Sequence, residues 1–68
     1  MRLETIIAKA LEQVDNDRYL LAKATGIRAK EIGAGSAPLV DMDAKKFKAT
    51  DIAIHEIAEG KLKVYLDS

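Results

Sequence analysis

The chain has 68 residues, which is enough for one domain and leaves no room for a second core. Lys plus Arg and Asp plus Glu both number 11. This balance argues against a module that binds nucleic acid on its own, because neutralisation of phosphates supplies most of such affinity. With no cysteine and one histidine, the sequence excludes a disulfide framework, a thiolate metal site and a histidine cluster, and we expect no metal or cofactor.

The small size also predicts how the chain is stabilised. A domain this short buries only about 60% of the surface that its unfolded chain exposes, so we expect a partner protein or self-association to add stability. No apolar run approaches the ~20 residues that cross a bilayer, and Glu4 and Lys9 interrupt any apolar leader segment. We therefore expect a cytoplasmic protein without membrane contact.

The first predicted helix, about residues 3–14, has apolar residues spaced three and four apart, which is one stripe of an α-helix. Asp15, Asn16 and Asp17 end it, because short polar side chains hydrogen-bond nearby backbone and favour turns. Asn16 or Asp17 is the expected N-cap of the next helix. The stripe consists of Leu3, Ile6, Ile7, Ala10, Leu11 and Val14.

The second predicted helix covers about residues 17–32, and its apolar stripe is wider and less regular. Such a helix can pack on its own chain with one face and on a partner with the other. Gly26 in its middle either permits close approach of another backbone or marks a weak point, and both interpretations stay open. Gly33 and Gly35 are the C-cap candidates.

An irregular segment follows from Gly33 to Lys46, with Leu39 and Val40 as its apolar anchors. It is long for so small a domain, and long ordered loops are often functional. A third helix is predicted over about residues 49–59, with Asp51 near its N-terminus and Ile52 on its packing face. The tail, residues 61–68, fits a short strand or one helical turn, so the prediction is one all-α domain over residues 1–68.

Catalytic chemistry has little support. His55 and Glu56 are adjacent, and adjacent helix residues point about 100° apart, so a surface or partner-contact role for His55 is favoured. Lys45, Lys46 and Lys48 surround Phe47, but nearby aspartates cancel their field, which favours a solvated segment over a nucleic-acid contact. We interpret Phe47 as a core or interface residue.

The segment Asn16-Asp17-Arg18-Tyr19 allows two interpretations. In one, Asp17 caps the helix and Tyr19 packs in the core. In the other, the segment is a docking corner in which Arg18 makes forked hydrogen bonds to partner carboxylates or carbonyls. Periodicity alone favours neither.

Four segments stand in order along the chain: Asn16-Asp17-Arg18-Tyr19, Arg28-Ala29, Pro38-Leu39-Val40, and residues 51–60. Together with their spacing they resemble the omega-subunit family of bacterial RNA polymerase over about residues 6–62. The Asn-Asp-Arg-Tyr form and the Ile-Ala-Glu-Gly-Lys ending resemble the short omega subunits of epsilonproteobacteria.

The resemblance implies a non-catalytic subunit that embraces the C-terminal region of the largest subunit, β′, assists its folding and stabilises the core enzyme with two α subunits and β. Nucleotide addition would then belong to the large subunits, without direct nucleic-acid binding by this chain. The partner contacts it implies are Asn16, Asp17, Arg18, Tyr19, Arg28, Leu39, Val40, Ile52 and Glu56.

Two departures bear on a guanosine tetraphosphate site that many relatives share with β′. The chain begins Met1-Arg2-Leu3, which places the arginine one residue earlier than in many proteobacterial members, and His55 stands where many carry arginine. We therefore expect this chain to contribute little to that site. The competing hypotheses are a free-standing helical regulator, of the antitoxin or DNA-binding dimer type, and a structural homo-oligomer.

Overall fold

The computed structural model describes residues 3–62, and for Leu3 the backbone only. It contains the helices α1 (Leu3–Glu12), α2 (Arg18–Gly33) and α3 (Ala49–Ala58), and no strand within the described residues. The predicted all-α fold is confirmed. Within the predicted tail, Lys61 and Leu62 form a bend, and residues 63–68 lie outside the described residues.

Helix α3 is the centre of the packing, because it contacts both α1 and α2, which contact each other much less. Ile52, Ala53 and Ile57 on α3 have no exposed surface. The predicted stripe of α1 supplies the opposite side of the core through Ile6, Ala10 and Leu11. Val14, after α1, and Leu21, on α2, complete this side. None of the helices among residues 3–62 combines the length and apolar character required to cross a bilayer.

A tight corner joins α1 to α2. Asp15 and Asn16 have φ angles of 53° and 60°, a left-handed conformation that Asp and Asn tolerate better than most residues. The Asn16 N–H returns to the carbonyl of Leu11 at 2.8 Å. Asp17 Oδ1 accepts a hydrogen bond from the Leu20 N–H at 3.0 Å, so Asp17 is the N-cap of α2, one of the two residues expected.

Helix α2 has two different faces, as predicted. The inner face buries Leu21, Thr25, Arg28 and Ile32, whereas Tyr19 and Ile27 on other faces are 76% and 54% exposed. A Cβ built at Gly26 would meet open space, so this glycine does not serve close approach of another part of the described chain. Gly35, with φ of 116°, follows the end of α2 as its left-handed residue.

Among the described residues, Thr25 is buried with its Oγ1 lacking a hydrogen-bond partner. Replacing it with Val should raise the free energy of unfolding by about 1 kcal/mol, because the buried hydroxyl is removed and the shape is kept. Urea unfolding followed by far-UV circular dichroism measures this. The control is Thr5→Val at an exposed position of α1, which should change stability by less than about 0.5 kcal/mol. A less stable Thr25→Val chain would contradict the claim that the Thr25 hydroxyl is buried without a hydrogen-bond partner.

Candidate docking site

A buried ion pair connects α2 to α3. Arg28 donates from Nε to Glu56 Oε1 at 2.6 Å and from Nη2 to Glu56 Oε2 at 3.2 Å. The side chains of Arg28 and Glu56 are 10% and 0% exposed, although they lie 28 residues apart in sequence. Two roughly parallel hydrogen bonds from a planar guanidinium to a carboxylate fix both distance and orientation. The pair therefore sets how the second half of α2 faces α3.

The same pair holds the loop between α2 and α3. Arg28 Nη2 also donates to the carbonyl of Ala37 at 3.0 Å, and the Leu39 N–H donates to Glu56 Oε2 at 2.8 Å. Arg28 Nη1 also donates to Glu31 Oε1 at 3.1 Å, a contact within α2 that does not involve the loop. The loop is thus attached on both sides of Pro38, once to the cation and once to the anion.

Arg28 is paired with carboxylates of its own chain. The hydrogen bond with Glu56 is the largest effect raising the pKa of Arg28; burial opposes it, and Glu31 adds to it. Glu56 also has a backbone role, because its carbonyl accepts the N–H groups of Lys61 at 2.9 Å and Leu62 at 3.1 Å and so closes the end of α3. Removing Arg28 would leave the fully buried Glu56 without its cation, and removing Glu56 would leave Arg28 with only the exposed Glu31 as partner. Breaking a buried pair in this way costs about 3–5 kcal/mol.

The nine expected partner contacts divide by burial. Those inside the chain are Arg28, Ile52 and Glu56; those half-buried are Asp17 and Val40; those exposed are Asn16, Arg18, Tyr19 and Leu39. The structure brings Arg28, Glu56 and Leu39 together. Arg18 lies ten residues before Arg28 on the same helix, about 15 Å along its axis.

Arg28, Ile52 and Glu56 were expected to touch a partner, but in this chain they have almost no surface to offer one. The physical reason is register: Arg28 is four residues before Ile32 and seven after Leu21, so it lies on the buried face of α2. That spacing is the sequence signal that could have identified it. Within the chain, Arg28 and Glu56 hold the loop against α2 and α3, and Ile52 is a buried residue of α3. Contact of these three residues with a partner stays a prediction.

The corner of Asn16, Asp17, Arg18 and Tyr19 combines parts of both interpretations. Capping by Asp17 is observed. Core packing by Tyr19 is wrong, because its side chain points away from the core and is 76% exposed. Arg18 is exposed beside it. Docking by this corner stays a prediction.

The described residues offer no group of three or more His, Cys, Asp and Glu side chains that could hold a metal ion. His55 Nδ1 lies 2.8 Å from the backbone oxygen of Asp51, and because a carbonyl only accepts, Nδ1 carries the hydrogen. The neighbouring Glu56 carboxylate is occupied by Arg28 and Leu39. His55 and Glu56 therefore do not form a catalytic pair in this structure.

Replacing Glu56 with Gln tests the ion pair. The amide keeps the size of the side chain but turns an acceptor oxygen into an NH₂ group among the donors of Arg28 and Leu39. We expect the free energy of unfolding to fall by about 3–5 kcal/mol. That is comparable to the whole stability of a small domain, about 0.05–0.15 kcal/mol per residue, so urea unfolding should find the variant largely unfolded.

The control for this prediction is the double variant Arg28→Met with Glu56→Leu, which removes both charges together. It should recover much of the lost stability, because an apolar pair of similar volume replaces a buried ion pair at little cost. A Glu56→Gln chain as stable as the original would show that the pair does not hold the fold. A double variant less stable than the single one would show that an uncompensated buried charge is not the cause of the loss.

The sequence matches known proteins over the segments from which the resemblance was inferred. The family model for RNA polymerase Rpb6 matches residues 9–64. The DNA-directed RNA polymerase subunit omega of a Nitratiruptor species is 60% identical over 67 residues, which is 98% of this chain and 96% of the relative. The subunit omega of Helicobacter hepaticus is 58% identical over 64 residues, or 94% of this chain and 86% of that relative.

A third relative, the subunit omega of a Sulfurovum species, is 52% identical over 67 residues and is covered over 98% of its length. No solved structure matches the chain. The matches extend over nearly the whole sequence, including the segments that contain Arg28 and Glu56. The chain therefore belongs to the omega-subunit family of bacterial DNA-directed RNA polymerases, in its short epsilonproteobacterial form.

Proposed function

We propose that this chain, as one domain over residues 1–68, is a non-catalytic accessory subunit that docks on the C-terminal region of the β′ subunit and promotes its folding and assembly with the α subunits and β. Its relatives are named as omega subunits of this enzyme, and the match extends over nearly their whole length. This supports membership of the same cytoplasmic complex. The structural observation that carries the docking proposal is the exposure of four large apolar side chains on so small a chain: Tyr19, Ile27, Leu39 and Phe47.

The proposed mechanism of docking depends on a surface that is formed before the partner arrives. Arg28 and Glu56 hold Leu39 through its backbone, and the left-handed turn at Asn16 places Arg18 and Tyr19 at the start of α2. A surface already held in its bound shape loses less conformational entropy on association. Arg18 and Tyr19 are also of the residue types that most often dominate binding energy at protein interfaces.

Catalysis is assigned to the large subunits in this proposal. The chain's own candidates for chemistry are engaged elsewhere: His55 through Nδ1 with the backbone of Asp51, and Glu56 with Arg28. The accessory role therefore consists of binding and positioning, without a reaction step.

The alternative of a free-standing DNA-binding regulator finds less support in the structure. Its recognition helix would be α2, whose cations are Arg18, Lys23, Arg28 and Lys30. Arg28 is buried and neutralised by Glu56, and Glu31 lies on the same helix. Few free cations then remain for phosphates, which such binding requires.

Arg18→Lys tests the docking corner. Lysine keeps the charge but cannot reproduce the forked hydrogen bonds of arginine. We expect the affinity for β′, measured by competitive co-purification, to fall about tenfold, equivalent to about 1.4 kcal/mol. Far-UV helicity of the free chain should not change, because Arg18 is exposed.

The matched control is Lys23→Arg, an equally conservative exchange at an exposed position of the same helix, which should leave affinity unchanged. Unchanged binding of Arg18→Lys would contradict the docking role of this corner. Lost helicity with intact binding would instead make Arg18 a structural residue.

A further inference from the structure

A groove with a volume of about 620 Å³ lies between the loop that joins α2 to α3 and the helices α1 and α3. Its apolar lining comes from Ile6, Val40, Met42 and Phe47. Ile6 is buried, Val40 and Met42 are half-buried, and Phe47 is 47% exposed. The groove is therefore shallow and open to solvent, with an apolar surface that the described part of the chain leaves uncovered.

A tight turn places Phe47 at the edge of this groove. The carbonyl of Asp43 accepts the N–H groups of Lys46 at 2.9 Å and Phe47 at 3.0 Å, and Asp43 Oδ1 accepts the N–H of Lys45 at 2.8 Å. These bonds fix the backbone immediately before α3. Phe47 is thus held at the groove by local structure, without being packed into the core.

The Asp, Glu, Lys and Arg residues that line the groove have one sign of charge. Three carboxylates line it, from Asp41, Asp51 and Glu59, whereas within residues 3–62 no Lys or Arg does so. His55 also lines it, with its Nδ1 donating to the Asp51 carbonyl. A chain with as many cations as anions therefore concentrates carboxylates on this surface.

We infer that this groove seats a short segment of the β′ subunit in which an apolar side chain is flanked by Lys or Arg; the inference rests on the proposed docking function. The apolar side chain covers the surface of Val40, Met42 and Phe47. The flanking cation meets the carboxylates, and complementary charge of this kind speeds encounter and fixes register.

The sign of the charge excludes other occupants. Nucleic acid and anionic lipid surfaces carry phosphates, which three carboxylates repel. Small-molecule sites enclose most of their ligand, whereas this groove is open along the exposed residues Asp41, Phe47 and Glu59. Of the expected partner contacts, only Val40 lines the groove. The groove is therefore a second surface, separate from the corner at Arg18 and Tyr19.

The first test is site-specific photo-crosslinking in the assembled core enzyme, with benzoylphenylalanine in place of Phe47. We expect attachment to a β′ segment that has Lys or Arg within a few residues of the attachment point. The matched control carries the same probe in place of Gln13, an exposed residue directly after α1 that does not line the groove. It should not yield that segment.

Three crosslinking results would overturn the inference. They are no product from position 47, attachment to a segment without basic residues, and attachment to a second copy of this chain. The last result is a specific alternative, because residues 45–48 of a second copy also combine basic residues with one aromatic residue.

The second test measures charge complementarity by competition for β′ with the variant Glu59→Lys. Lysine near the C-terminus of α3 is favourable to the helix dipole, so the fold should be kept, and far-UV circular dichroism checks this. We expect at least a tenfold loss of affinity. Glu12→Lys is the matched control, since Glu12 is an exposed glutamate at the end of α1 that does not line the groove; it should stay within about twofold.

The outcomes separate the groove from the proposed function. If the unmodified chain does not bind β′ at all, the docking function fails and the groove assignment fails with it. If the unmodified chain binds and Glu59→Lys binds as well as Glu12→Lys, the groove assignment alone is overturned. A selective loss in Glu59→Lys, together with a basic segment captured at position 47, supports it.

Discussion

Arg28 and Glu56 meet between α2 and α3, where the Glu56 side chain has no exposed surface and that of Arg28 is 10% exposed, and the loop between the two helices is attached to both of them. A buried ion pair of this kind adds little net stability compared with apolar residues of similar volume, but breaking it is expensive. Its value lies in geometry, because the forked contact admits only a narrow range of helix orientations. The position of Leu39 follows directly, since its backbone N–H binds the carboxylate.

Other parts of the molecule depend on this constraint. Helix α3, which carries Glu56, packs against both other helices, and its residues Ile57 and Ala58 form one core cluster with the α1 stripe. The loop that α2 and α3 hold in place contributes Val40 and Met42 to the groove and, through the turn at Asp43, Phe47. A core too small to bury every apolar residue thereby leaves the remaining ones at the surface, which fits the proposed docking.

The sequence predicted what local interactions determine. The α1 stripe and the Asp17 cap follow from spacing and capping within a few residues, and the structure confirms them. The predicted bounds of α2 and α3 agree with the structure to within one residue, whereas α1 ends at Glu12, two residues earlier than predicted. The pairing of Arg28 with Glu56 could not be predicted in this way, because arginine is usually exposed and its partner lies 28 residues away. Tyr19 shows a second limit: periodicity counts an aromatic residue toward a stripe, but does not say which face of α2 turns inward. The groove could not be predicted from the sequence, because α1, the loop between α2 and α3, and α3 itself all contribute to its lining.

Hydrogen exchange at the backbone amide of Leu39 in the free chain tests the central claim most directly. Leu39 is 49% exposed and lies outside any helix, so without the ion pair its amide would exchange as fast as an unstructured one. Because Glu56 accepts this N–H, we predict exchange at least about tenfold slower than at Ala44 of the same loop, with the protection lost in the Arg28→Met, Glu56→Leu double variant. Equal exchange at Leu39 and Ala44 in the unmodified chain would show that the buried pair does not hold the loop.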